Sequence, residues 1–97
     1  MENTIYMTML YDYYKNLLTD KQRAYFEDYY FNNLTLSEMA ENYDITRSAV
    51  NKQIKLTILK LEEYEEKLNL YKNGLKIKKI IGSLDIKTKE KIWRFYI

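Results

Sequence analysis

Five polar side chains between positions 47 and 55 have the types and the spacing needed to contact nucleic acid. Arginine and lysine donate hydrogen bonds to phosphate oxygens, and arginine, serine and asparagine also bond the edges of bases. On a helix that begins just after Thr46, the five share the outer surface, and no acidic residue lies among them. We predict that they form a nucleic-acid-binding surface: Arg47, Ser48, Asn51, Lys52 and Lys55.

Segment 35–55 has the pattern of two helices joined by a tight turn. Thr35 and Glu38 form a capping box that begins the first helix. Thr46 is a good cap for the second helix. Asp44 falls in the turn, where a short polar side chain tolerates left-handed backbone. The helix starts and the turn are therefore predicted from local residues alone.

Apolar and small residues in the same segment fit the contact between those two helices. Ala40 is small enough for a close crossing, and Ile45 fills the angle between the helices. Val50 and Ile54, one turn apart, face back onto the first helix. This pattern predicts a helix-turn-helix, whose second, recognition helix enters the major groove of duplex DNA. Similar helical pairs occur in proteins that bind no DNA, so an interaction module stays an alternative.

Composition excludes several other classes of function. Ninety-seven residues suffice for one small domain, and two glycines without proline leave strand-and-turn architectures few turn residues. Because the chain has no cysteine and no histidine, disulfides, zinc sites and catalytic triads lack their usual residues. We therefore predict a protein that is not an enzyme and uses no metal or cofactor. Neither a secretory signal nor a membrane span is expected, which predicts a cytoplasmic protein.

The net charge of +2 is unevenly distributed along the chain. Residues 1–46 include three basic and eight acidic side chains, whereas residues 47–97 include thirteen basic and six acidic ones. The sign changes at the start of the recognition helix, and phosphate binding needs such a basic end. Lysine-rich helices can also serve solubility alone. Because the acidic run at 62–66 would repel phosphate, the surface facing nucleic acid should end near Lys60.

Apolar residues recur at three- and four-residue steps along the whole chain, which predicts an all-α helical bundle. A first helix is expected from about Thr4 to Asn16. A second, begun by a capping box at 19–22, should run to about Phe31. The predicted buried face of the first helix comprises Ile5, Tyr6, Met9, Leu10, Tyr13, Tyr14 and Leu17.

The recognition helix is predicted to continue without a break to Asn73-Gly74, where glycine supplies a stop. Apolar residues recur along it every seven positions and form a heptad stripe: Ile54, Leu61, Leu68 and Leu75. A second apolar flank is formed by Leu56, Leu59 and Leu70. A helix of about 26 residues spans about 39 Å, more than a small globule covers. We therefore expect a homodimer through the heptad stripe; the alternative is packing within the chain, against the first two helices or the carboxyl-terminal segment.

These boundaries divide the chain into a helix-turn-helix domain, residues 1–72, and a short helical carboxyl-terminal extension, residues 73–97. In the extension, Leu75 to Ile81 should be helical, Gly82-Ser83 should break the helix, and a last helix is expected from about Lys87 to Tyr96.

Eleven tyrosines raise the alternative of base stacking by exposed aromatic rings. Most of them fall at core spacing in the acidic half of the chain, so we predict core packing instead. Glu62 and Glu66 share a helix face, which a solvated surface explains without catalysis.

Several segments together resemble a known family, in order and in spacing. They are Leu17-Leu18-Thr19-Asp20-Lys21-Gln22-Arg23, Tyr29-Tyr30, Leu34-Thr35-Leu36-Ser37-Glu38-Met39-Ala40-Glu41 and Thr46-Arg47-Ser48-Ala49-Val50, followed by Ile54-Lys55. They resemble the YlxM family, small bacterial proteins similar to region 4 of the housekeeping sigma factors, which reads the −35 promoter element. Segment 65–71 resembles the family's long-helix end. The resemblance implies an all-α, sigma-region-4-like fold, DNA binding, and a link with the signal recognition particle pathway.

These observations predict a small regulator that docks its recognition helix in the major groove of double-stranded DNA. Arg47 would contact a base edge or a phosphate, Ser48 and Asn51 would bond base edges or phosphates, and Lys52 and Lys55 would neutralise phosphates. Its targets would be genes of the signal recognition particle pathway. The alternatives are an interaction module that regulates or helps assemble that particle through the long helix, and a binder of structured RNA.

Overall fold

A computed structural model describes residues 3–82 and Arg94 of the chain. The described residues form helices and no strand, which confirms the all-α prediction. The order is α1 (Thr4–Tyr14), a short 3₁₀ turn (Lys15–Leu17), α2 (Asp20–Tyr30), α3 (Leu36–Tyr43), α4 (Arg47–Leu68) and α5 (Leu70–Ile81). Among these residues, no helix combines the length and the apolar composition required to cross a bilayer.

Helix α1 begins at the predicted place but presents a different face to the core. Leu10 and Tyr14 are buried as predicted, whereas Ile5 is 72% exposed. The other buried residues are Met7 and Tyr11, and Met9 and Leu17 are exposed. The predicted face was wrong because apolar and aromatic residues surround α1, so their spacing selects no single side. On the face that is buried, the Tyr11 ring stacks on Phe26 of α2, with ring centroids 4.3 Å apart.

The starts of α2 and α3 confirm both predicted capping boxes. The Thr19 hydroxyl accepts from the backbone of Gln22, whose side chain accepts from the backbone of Thr19. Thr35 and Glu38 make the same reciprocal pair at the start of α3. Each box satisfies amide groups that a helix start leaves without partners. Helix α2 ends at Tyr30, one residue before the predicted end.

Helix α4 is the centre of the fold, because α1, α2 and α3 all pack on it. Its inward face is buried and consists of Val50, Ile54, Thr57, Ile58, Leu61 and Glu65. Opposite it lie the fully buried side chains of Met7, Leu10, Tyr14, Phe26 and Met39. Burial of these apolar surfaces is the main favourable contribution to folding.

The predicted uninterrupted helix to Asn73-Gly74 was wrong. Helix α4 stops at Leu68, Asn69 adopts left-handed backbone at φ 54°, and α5 begins at Leu70. Asparagine tolerates that conformation better than most residues, so it serves here as the helix stop. Gly74, predicted as the stop, is buried within α5. The predicted domain boundary between residues 72 and 73 consequently falls inside α5.

The heptad stripe does not form one seam. Ile54 and Leu61 are fully buried against the chain's own helices, whereas Leu68 and Leu75 are exposed. Leu75 lies in α5, beyond the break at Asn69, so its spacing of seven from Leu68 no longer places it on the face of α4. A homodimer through all four positions is therefore excluded, because two of them already belong to the core. The predicted last helix, from Lys87 to Tyr96, lies outside the described residues except for Arg94.

Candidate nucleic-acid interface

The turn between α3 and α4 has the geometry predicted for it. Asp44 is left-handed, with φ 54° and ψ 47°. The amide of Ile45 donates to the Ala40 carbonyl at 3.0 Å, and the Asp44 amide donates to the Glu41 carbonyl at 3.3 Å. The bond from Ile45 to Ala40 is that of a Schellman motif, which satisfies a carbonyl at the end of a helix. This turn sets the direction in which α4 leaves α3.

Thr46 begins α4 as predicted. Its hydroxyl accepts from the Ala49 amide at 3.0 Å, and its carbonyl accepts from the Val50 amide at 3.1 Å. The first residue after this cap is Arg47. The amide groups at a helix start carry a partial positive charge, which favours an anion nearby.

The two sides of the first turns of α4 are clearly separated. Val50 and Ile54 are fully buried, and Ala40 of α3 is buried too, which confirms the predicted contact. Four of the five predicted site residues are exposed: Arg47, Ser48, Lys52 and Lys55. The fifth, Asn51, is half-buried at the boundary between the two sides. Four predicted site residues therefore lie together on the solvent-exposed side of α4, and Asn51 lies between them and the buried side.

The exposed basic stretch of α4 has a definite end. From Arg47 to Leu61, α4 contains no acidic residue, and Glu62 is the first. Lys60 lies 3.8 Å from the carboxylate of Glu63, an exposed pair that partly neutralises the last lysine of the stretch. The acid-free part, residues 47–61, is about 22 Å long at 1.5 Å per residue.

Comparison of the sequence with known proteins identifies the family of this chain. The model of the family UPF0122, described as "Putative helix-turn-helix protein, YlxM / p13 like", matches residues 1–94. The chain belongs to this family. It is similar to UPF0122 proteins of Geobacillus sp. (strain WCH70), Bacillus cereus (strain AH187) and Bacillus anthracis (strain A0248). Each is 44% identical over 84 residues, which cover 87% of this chain and 76% of the relative.

In this member of the UPF0122 family, α3 is held against α2 by a contact that the sequence analysis did not predict. The Tyr43 hydroxyl, at the end of α3, donates to the Asp28 carboxylate of α2. The Tyr43 ring also packs edge-on against Tyr25, with centroids 4.5 Å apart. Burial, together with the bond to Asp28, raises the pKa of Tyr43 to about 12. Asp28 and Tyr43 belong to different helices, so no periodic signal links them in the sequence.

Glu38 is the acidic side chain whose position at the helix-turn-helix is most precisely defined. It accepts from the Thr35 backbone at 3.0 Å, and this bond, followed by that to the Thr35 hydroxyl, lowers the pKa of Glu38. The carboxylate is therefore held at the start of α3, where the positive helix end favours it. Its role in this UPF0122 protein is to cap α3.

Proposed function

We propose that this chain is a cytoplasmic DNA-binding regulatory protein that places the start of α4 in the major groove of double-stranded DNA. One observation carries the proposal: Arg47, Ser48, Lys52 and Lys55 are exposed together at the start of a capped helix that packs its other side on α3. Family membership supports it, because the family is described as helix-turn-helix.

The five site residues are assigned different contacts with DNA according to the chemistry of their side chains. Arg47 and Ser48 lie at the helix start, the part of a recognition helix that reaches base edges. Lys52 and Lys55 lie one and two turns further along and neutralise phosphates. Asn51, half-buried, has room for a single base or phosphate contact beside the α3–α4 contact.

The test is the salt dependence of binding to short duplexes, measured by fluorescence anisotropy. If the four basic side chains of the acid-free stretch of α4 meet phosphates, namely Arg47, Lys52, Lys55 and Lys60, the slope of log affinity against log salt should be about −3.6 per chain. Replacing Lys52 and Lys55 together by alanine should flatten the slope by about 1.8. The matched control removes two exposed lysines of α5, Lys72 and Lys76, and should leave the slope unchanged. Absence of duplex DNA binding at low salt would overturn the proposal.

A second candidate function is an interaction module of the signal recognition particle pathway. The observation in its favour is the surface of α5, where Leu70 and Leu75 are exposed beside Lys72 and Lys76. A pull-down from native cytoplasm, with and without nuclease, separates the candidates. Protein partners retained after nuclease treatment favour the module, whereas loss of all partners favours nucleic acid. Titrations with duplex and hairpin RNA distinguish structured RNA from DNA.

A further inference from the structure

The outward face of α4 carries a stripe of charged and apolar side chains. Its members follow steps of one, three or four residues and are all exposed: Lys52, Lys55, Leu56, Leu59, Glu63 and Glu66. We call these six residues the outer stripe. Leu59 is 59% exposed and Leu56 is 43% exposed. Both belong to the predicted second apolar flank of α4, which was expected to contact another element. The stripe differs from the heptad stripe, whose Ile54 and Leu61 belong to the core.

The order of charges along the outer stripe is symmetric about Leu59. Lys52 and Glu66 each lie seven positions from Leu59, and Lys55 and Glu63 each lie four positions from it. Lysines occupy one half of the stripe and glutamates the other, with Leu59 at the centre and Leu56 three positions from it on the lysine side. A two-fold axis perpendicular to a helix reverses the direction of the helix and brings the same patch of both copies together. With such an axis at Leu59, each lysine lies opposite a glutamate of the second copy.

We propose that two copies of this chain pair antiparallel through the outer stripe, with Leu59 at the centre and with Lys52 and Lys55 facing the partner's acidic half. Parallel pairing would place lysine against lysine and glutamate against glutamate, so charge selects the antiparallel arrangement. Because Lys52 and Lys55 also belong to the DNA-binding surface, pairing and DNA binding exclude each other. This last clause rests on the proposed function, whereas the pairing does not.

Among residues 3–82, contacts within the chain leave the outer stripe available. Glu63 lies 3.8 Å from Lys60 and 3.5 Å from Lys67, but these are exposed pairs within one helix, which contribute little to stability. Lys52 and Glu66 are exposed at the two ends of the stripe. The pair formed by Lys52 and the second copy's Glu66 is therefore the best site for a charge-reversal test.

The experiment is sedimentation equilibrium of the full chain at low salt, repeated at higher salt. We expect a reversible dimer that weakens as salt screens the charges. Glu66→Lys should raise the dimer dissociation constant by about tenfold, because symmetry places two like-charge pairs in the interface. Lys52→Glu should do the same, and the double variant Lys52→Glu with Glu66→Lys should restore the wild-type constant. A merely structural role for Glu66 would not allow such rescue.

A neutral variant tests the centre of the interface. Leu59→Gln should weaken the dimer without changing any charge, whereas the matched control Leu75→Gln, on exposed α5, should not. Since Leu59→Gln frees the recognition helix, its affinity for duplex DNA should exceed that of the wild type at concentrations where the wild type is dimeric. Added duplex should likewise dissociate the wild-type dimer, as reciprocal coupling requires.

The possible outcomes distinguish this inference from the proposed function. A wild type that stays monomeric at high concentration, or a dimer indifferent to the charge reversals, would overturn the pairing. A monomer whose unfolding free energy falls on Leu59→Gln would indicate that Leu59 packs within its own chain, which also overturns the pairing. A dimer that follows the charge reversals but binds no DNA would support the pairing and overturn the proposed function.

Discussion

The Tyr14 hydroxyl in α1 donates a 2.5 Å hydrogen bond to Glu65 in α4, although the two residues lie 51 positions apart. Glu65 also accepts from the backbone amides of Tyr71 and Lys72, at 3.1 and 3.0 Å. The Leu70 amide in turn donates to the Tyr14 oxygen at 3.0 Å. Asn69 provides no side-chain cap for α5, so Tyr14 and Glu65 cap this helix from two other helices. A carboxylate at a helix start also opposes the partial positive charge there.

The first prediction concerns removal of that carboxylate. Glu65→Ala should lower the free energy of unfolding by about 2–3 kcal/mol, because three buried or half-buried donors lose their acceptor. Urea unfolding followed by circular dichroism measures the change. The control is Glu41→Ala, at an exposed glutamate outside the outer stripe, which should change stability by less than about 0.5 kcal/mol. Equal effects of the two substitutions would show that the Glu65 hydrogen bonds contribute no net stability.

Alkaline pH should destabilise the fold through the buried Tyr14 and the half-buried Tyr43. Burial, together with a bond to Glu65, raises the pKa of Tyr14 to about 12, and the pKa of Tyr43 rises equally. Both phenols ionise near their ordinary value of 10.0 when the chain unfolds. Their stabilising effect is thus complete below about pH 10 and is lost as pH rises toward about pH 12.

Within that interval, each rise of one pH unit should lower the free energy of unfolding by about 1.4 kcal/mol for each of these two tyrosines. Denaturant unfolding at several alkaline pH values measures the slope, and tyrosinate absorbance reports the ionisation. Tyr14→Phe should give a shallower slope than the wild type. Unfolding free energies that stay constant through the interval would contradict the raised pKa values.

The left-handed residue of the turn provides a third prediction. Asp44 has φ 54°, a conformation that glycine adopts without the steric cost borne by other residues. Asp44→Gly should therefore stabilise the protein by up to about 1 kcal/mol. Asp12→Gly, at an exposed right-handed position within α1, is the control and should destabilise by about 0.3 kcal/mol, the difference in helix propensity between aspartate and glycine. Thermal unfolding of both variants tests the prediction, and a destabilised Asp44→Gly would argue against it.

The last prediction separates reading of bases from binding of phosphates. Arg47→Ala should reduce the discrimination between a selected and a scrambled duplex by about 1–3 kcal/mol if its contact is bidentate to guanine. Lys55→Ala should instead weaken binding to both duplexes alike and reduce the salt slope by about 1. A duplex selected from random sequence supplies the probe. Loss of discrimination in Lys55→Ala alone would reverse the two assigned roles.

Local sequence determined where most of the helices begin and how the helix-turn-helix turns. Thr19, Thr35 and Thr46 each cap a helix through amides three residues away, so neighbours in the chain contain the whole interaction. Asp44 was recognisable for the same reason, because left-handed backbone is a property of one residue and its immediate neighbours. The exposed site residues of α4 followed once Val50 and Ile54 were identified as its buried side.

Tertiary structure decided the features that depend on distant partners. The buried side of α1 could not be predicted because apolar residues surround the helix, and only its packing on Phe26 and α4 selects a face. Helix α4 ends where α5 begins, at Asn69, and the start of α5 is capped by the Tyr14 hydroxyl of α1, which accepts from the Leu70 amide. Glu65 belongs to a run of glutamates that resembles a solvated surface, and its burial follows from where α1 and α5 lie. The periodicity of apolar residues indicates which residues share a side of a helix. Which side becomes buried depends on how the helices pack in the folded chain.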